Sequence, residues 1–208
     1  MIPLKPNEMY HIYNHANGND NLFRNEENYA YFLKRYAYFI HPIAKTYAYC
    51  LMPNHFHLLV KIRSEEGIAI TFPKIRTLEK LEILEKLEFD KFISKQFANL
   101  FSSYTQSYNI VFRRKGSLFI KNFQRKPVKS EAYFTSLVQY IHRNPLHHGF
   151  CDKIEDWNWS SYHSLLCTKR TLLKRDELMD WYGNIPHFVE AHKVNDQYYV
   201  ELGNDDFY

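Results

Sequence analysis

The sequence predicts an α+β fold: a ferredoxin-like or RRM-like antiparallel sheet with helices packed on one face, followed by a small helical C-terminal extension. Three observations predict it. Strand-like and helix-like segments alternate in the order β-α-β-β-α-β-α. The middle strands, 43–52 and 55–62, are separated only by Pro53-Asn54, the spacing of a hairpin. Several longer segments repeat apolar residues at helical spacing, so each needs a surface on which to bury one stripe.

The elements follow in order. Residues 8–16, EMYHIYNHA, are rich in Tyr and Ile and end at the turn signal NGND, which predicts a first strand. Residues 25–40 open with Asn25 and two acids and then place Tyr29, Phe32, Leu33, Tyr36 and Ile40 on one helical face. That is an amphipathic helix with Asn25 as its N-cap. Residues 65–88, which begin within SEEG (64–67) and hold a proline and a charged Leu-rich run, are read as a loop and helical insertion. From Phe89 to Tyr104 the i, i+3, i+4 spacing returns and predicts a second core helix. Residues 117–123, SLFIKNF, read as a last strand. A helix follows from Ser130 and is expected to stop at Pro145. The tail holds WNWSSY, whose Trp157, Trp159 and Tyr162 are expected to pack against the sheet, and a helical pair near 174–194.

Composition bounds the function. With 208 residues and 17% aromatics, the chain can bury a sizeable core and is not disordered. The formal charge of +4 is too mild to name a partner by itself. Three unpaired-looking cysteines suggest reduced thiols. No apolar run approaches the roughly 20 residues needed to span a bilayer, and the N-terminus has no signal-peptide core. These features predict a soluble, cytoplasmic protein without a membrane partner.

One stretch is unusual. In YCLMPNHFHLLVKI, residues 49–62, two histidines interrupt an apolar strand. Side chains alternate along a strand, so His55 and His57 share a face while Phe56 and Leu58 enter the opposite layer. Two imidazoles on one face can bind a cation if a third group joins them. An isolated H-x-H is more often a pair of polar positions on an exposed sheet face. Farther along, Tyr140 and Asn144 are four apart on the helix that contains YIHRNP, and so share its face.

Taken in order, YHIYNHANGNDNLF, MPNHFHLL, GSLF after basic residues, YIHRNP and WNWSSY resemble the REP-associated tyrosine transposases. These are relatives of the single-tyrosine insertion-sequence transposases within the His-hydrophobic-His (HUH) nucleases. The resemblance spans about Tyr10 to Tyr162. It implies a transposase-like catalytic domain over 1–150, carrying the insertion at about 65–88, and a C-terminal extension over 151–208 packed on it. It implies that His55, His57 and Asn144 hold a divalent cation, Mg²⁺ or Mn²⁺, and that Tyr140 is the nucleophile. The implied reaction cleaves single-stranded, hairpin-forming DNA through a 5′-phosphotyrosine link, and a 3′-hydroxyl later rejoins the strand. His15 stands where the family often has an arginine, and is assigned to the DNA.

Physical chemistry agrees with those assignments. A phenol has a reference pKa near 10 and needs help to attack a phosphate at neutral pH. A cation on an N,N,O ligand set can polarise the phosphate, and two imidazoles lean the site toward Mn²⁺. Residues 91–130 carry nine Lys or Arg and no Asp or Glu, with Phe112, Phe119 and Phe123 among them. That composition suits a nucleic-acid strand, so Arg113, Arg114, Lys115, Arg125 and Lys126 are placed at the DNA. Two alternatives remain: a non-catalytic hairpin-binding module on the same fold, and an RNA-binding sheet marked by exposed aromatics on its strands. The sequence leaves monomer and homodimer both open.

Overall fold

The computed structural model of the chain describes residues 2–72 and 88–193. Strand β1 spans Met9–His15, and helix α1 spans Glu26–Phe39. The hairpin strands are β2, Ala44–Leu51, and β3, His55–Ile62. A short helix α2, Glu65–Thr71, opens the region expected to be an insertion; residues 73–87 of that insertion lie outside the described residues. Helix α3 spans Phe89–Val111, strand β4 Gln124–Pro127 and helix α4 Glu131–His147. A 3-10 turn, Ile154–Asp156, leads to α5, Tyr162–Leu166, then α6, Arg175–Tyr182, and α7, Ile185–Lys193.

The fold is α+β. Its four strands form one antiparallel sheet in the order β2-β3-β1-β4. With α1 and α3 as the crossings, this is the ferredoxin-like order. The N-cap expected at Asn25 is made: its side chain accepts from the backbone N–H of Asn28. Alternate residues of β3, Phe56, Leu58, Val60 and Ile62, join Tyr10 and Ile12 of β1 against α1 and α3. Phe32, Phe56, Phe97 and Phe101 are buried there, and each such ring contributes about 1.5–3 kcal/mol through its removal from water.

Helices cover both faces, not one. Helix α4 packs on the opposite face with the C-terminal helices, around Tyr47, Cys50, Leu59, Leu137 and Phe188. WNWSSY runs beside β2 and reaches both layers. The Trp157 indole donates to the Leu51 carbonyl at 3.0 Å, and the Trp159 ring stacks on Tyr29 at 4.6 Å. None of the described strands carries an exposed aromatic ring, so the RNA-binding reading lacks its stacking platform. No described helix is long and apolar enough to cross a membrane. All three cysteines are free thiols.

Two boundaries differ from expectation. The last strand is QRKP at 124–127, not SLFIKNF at 117–123. Leu118, Phe119 and Phe123 of the apolar stretch fill the core from an irregular segment that meets the end of β1 through an isolated Ala16–Phe119 bridge, the Ile120 N–H to the His15 carbonyl at 3.0 Å and the Asn14 amide to the Ile120 carbonyl at 3.1 Å. The edge position of β4 tolerates two cations and a proline that a central strand would reject. The other difference is Pro145, which lies inside α4 instead of ending it. Hydrogen bonding resumes beyond it, where His148 N–H reaches the Asn144 carbonyl at 3.0 Å. Burial of Asn144 and Pro145 holds the last turn against the proline's local cost.

One carboxylate is among the groups that fasten the C-terminal layer to the sheet. Glu177 of α6 accepts from Tyr47 Oη at 2.7 Å and from Lys45 Nζ at 3.0 Å, and pairs with Lys174. Burial pushes its carboxyl up, but the bonds from Tyr47, Lys45 and Lys174 outweigh burial and hold it at about 2. A depressed carboxylate stabilises the fold above its unfolded pKa, near 4.3, and loses that contribution as pH falls toward the folded value. Glu177→Gln should therefore lower the urea midpoint at neutral pH. The gap from wild type should close as pH falls from about 5 to about 2; a gap that does not change with pH would count against the anchor.

Candidate active site

The strand register assembles the site. Directly paired residues of an antiparallel sheet point to the same face. His15 pairs with His55, Tyr13 with His57, and Cys50 with His57, so three strands present one histidine-rich patch. This patch is not an exposed sheet face. Helix α4 lies over it, leaving His55 4% and His57 0% exposed. A pair of ordinary solvated surface histidines is therefore excluded.

Tyr140 and Asn144 of α4 face the patch, about 40° apart around the helix at 3.6 residues per turn. The Tyr140 ring meets His57 edge-on, with centroids 5.5 Å apart. Asn144 Oδ1 lies 3.4 Å from His55 Nε2. The expected quartet of His55, His57, Tyr140 and Asn144 thus comes together from one strand and one helix. Asn144 does not sit at a frayed helix end as its sequence position suggests; it is wholly buried.

The polar atoms fit a cation. His55 Nδ1 lies 2.8 Å from Asn54 Oδ1 and donates to it, which leaves the lone pair on Nε2. That lone pair faces Asn144 Oδ1, also an acceptor, and Asn144 Nδ2 is buried with no hydrogen-bond partner among the described residues. Two acceptors at this separation match two ligands about 2.1 Å from a shared ion. Burial, with His148 and His15 nearby, lowers His55 to about 3, and burial with His11 beside it takes His57 well below its usual range. Both rings are therefore neutral at pH 7, the state that coordinates metals. Among the described residues no three or more His, Cys, Asp or Glu side chains are grouped so as to hold a metal ion.

The structure adds three residues to the site. His11 Nε2 lies 2.9 Å from His57 Nδ1 and, within hydrogen-bond reach, orients that ring, the arrangement that fixes a metal-binding histidine from behind. Tyr13 stacks on His11 at 4.7 Å. His148, just past α4, meets the His55 ring at 4.8 Å. The shared face of His11, Tyr13 and His15 was legible from strand alternation, but their nearness to His57 depends on the β1–β3 register.

The basic residues separate into different places. Lys126 pairs with His11 on the histidine face, its Nζ 5.7 Å from the Tyr13 ring centre. His15 stacks on His55 at 5.6 Å. Arg113 and Lys115 are exposed beyond α3. Arg125 pairs with Ile12 on the other face, is buried, and lies 3.9 Å above the Phe123 ring. There it lines a groove of about 740 Å³ beside Asn14, Ser94, Gln106 and Phe123. Arg114 is a correction. Its guanidinium binds Asp20 twice, at 2.6 and 2.9 Å, and also donates to Asn109 and to the Gly116 and Ser117 carbonyls. It clamps two loops, and all five of its N–H donors are engaged within the protein. Phe119 and Phe123 are likewise mainly core rings and not an open base-stacking surface.

No protein-family model matches the chain. Over 141 residues it is 24% identical to a Haemophilus influenzae protein provisionally described as a REP-associated tyrosine transposase; the match covers 67% of this chain and 68% of that one. Among solved structures, the fold is similar to that of a REP-associated tyrosine transposase bound to a REP hairpin. The TM-score is 0.55 at 14% identity, over 80% of this chain and 83% of that one.

Proposed function

We infer that this chain is a REP-associated tyrosine transposase that cuts and rejoins single-stranded, hairpin-forming DNA through Tyr140. One observation carries the reading: Tyr140 and Asn144 on α4 meet His55 and His57 on β3 in one buried cluster. His55, His57 and Asn144 would hold Mg²⁺ or Mn²⁺, which supplies charge stabilisation at the scissile phosphate. The chain's own residues do the rest. Tyr140 Oη forms the new P–O bond as the 3′-oxygen leaves, giving a 5′-phosphotyrosine and a free 3′-hydroxyl. A later attack by a 3′-hydroxyl releases Tyr140 and rejoins the strand. His11 keeps His57 in one orientation.

A second reading draws on a specific observation. Tyr140 is 2% exposed, so DNA must displace neighbouring groups to reach its hydroxyl. A non-catalytic hairpin-binding protein would need no such opening. Incubation with labelled hairpin DNA and Mn²⁺, followed by a denaturing gel, separates the two. The transposase reading predicts a covalent protein–DNA band that chelator removes. Tight hairpin binding without that band would favour the second reading.

The DNA path is testable at two cations. Lys126→Ala should weaken hairpin binding and reduce the log–log salt slope by about one unit. Arg114→Ala should instead lower stability by about 1–2 kcal/mol, because it removes both close bonds to the half-buried Asp20 and leaves it only the longer pair with Arg24 at 3.6 Å, and should leave the slope unchanged. A reduced slope in Arg114→Ala would return that residue to the phosphate path.

A further inference from the structure

Behind the pocket lies a second buried polar cluster that the proposed reaction does not use. His142 Nδ1 is 2.8 Å from His192 Nε2, and His142 Nε2 is 2.7 Å from Ser161 Oγ. His192 Nδ1 is 2.7 Å from the Phe188 carbonyl. His142, Ser161 and His192 are all buried.

For two neutral imidazoles the chain of bonds permits one proton arrangement. The Phe188 carbonyl can only accept, so His192 Nδ1 carries the hydrogen and its Nε2 the lone pair. His142 therefore donates from Nδ1, and its Nε2 accepts from the Ser161 hydroxyl. Ser161 Oγ in turn accepts the Tyr49 N–H of β2 at 2.9 Å. Arg143 adds a parallel tie to the His192 carbonyl at 2.6 Å. Three segments distant in sequence are thereby joined: β2, α4 and α7.

Helix geometry gives this chain its meaning. His142 lies about 200° around α4 from both Tyr140 and Asn144 at 3.6 residues per turn. One side of the helix presents the phenol and the amide to His55 and His57. The other side is held by bonds that specify an angle, which apolar packing alone does not. We propose that His142, His192 and Ser161 are positioning residues, through which the C-terminal extension sets the rotation of α4 and so aims Tyr140 and Asn144 at the histidine pair. The part of this proposal that concerns chemistry rests on the transposase reading above.

The test uses the full chain and two readouts. His192→Phe keeps a ring but removes the acceptor for His142. It should leave hairpin affinity and KM unchanged and lower kcat for adduct formation at least tenfold, since small misplacements of reacting groups are costly. Amide hydrogen exchange across residues 138–146 should accelerate relative to α1. His192→Gln, whose side-chain amide can occupy the place of Nε2, should restore both, and Ser161→Ala should reproduce the defect from the other end. Wild-type kcat in His192→Phe, or unchanged exchange across 138–146, would overturn the proposal. If His192→Phe does not fold, the comparison of Ser161→Ala with His192→Gln decides in the same way. If the wild-type protein forms no adduct, the transposase reading fails, while the exchange experiment still decides whether the clamp exists.

Discussion

Tyr140→Phe should abolish the covalent protein–DNA band and leave hairpin binding intact. The substitution removes one oxygen from a buried ring. The edge-on contacts with His57 at 5.5 Å and His11 at 6.2 Å need only the ring, so they should persist. What is lost is the atom that attacks phosphorus. With Tyr140 as nucleophile the loss should be at least about 10³-fold; Tyr13, whose ring lies 5.7 Å from His57, is the other phenol at the site. The readout is the labelled band on a denaturing gel, with binding followed separately by gel shift. A persistent band would identify a different nucleophile.

His57→Ala should abolish cleavage with nearly unchanged hairpin affinity. The imidazole is wholly buried, and removing it deletes a ligand and leaves His11 Nε2 without its partner. Loss of the cation should cost several kcal/mol at the transition state, or more than about 10²-fold in rate. Stability should fall by only about 1–3 kcal/mol, the scale of a stranded buried polar group. Titration with Mn²⁺, followed by electron paramagnetic resonance, should show binding to wild type and none to His57→Ala. Equal cleavage rates in chelator and in Mn²⁺ would sink the metal assignment, whatever the variant does.

The two boundary differences mark where pattern reading falls short. SLFIKNF has strand composition, yet its apolar residues fill the core without a ladder, while the polar QRKP forms β4 at the sheet edge. Composition reports that a segment is buried, not whether its backbone pairs. Pro145 fails for a related reason. Local cost argues for a stop there, but the buried last turn of α4 persists through packing that only the folded chain supplies. Arg114 is the clearest case for function. Its neighbours in sequence suggest a phosphate contact, while Asp20, far away in the chain, occupies its guanidinium.

The sequence by itself determined the element order, the antiparallel sheet, the shared face of His55 and His57, and the shared face of Tyr140 and Asn144. Each follows from a local period, two residues in a strand or 3.6 in a helix, which sterics impose wherever the element forms. Only the tertiary structure decided that α4 lies over the histidine face, that His11 backs His57, and that Arg125 and Lys126 point to opposite sides of the sheet near different partners. Those facts depend on strand register and on which apolar faces find each other, and both are settled by contacts between residues far apart in the chain.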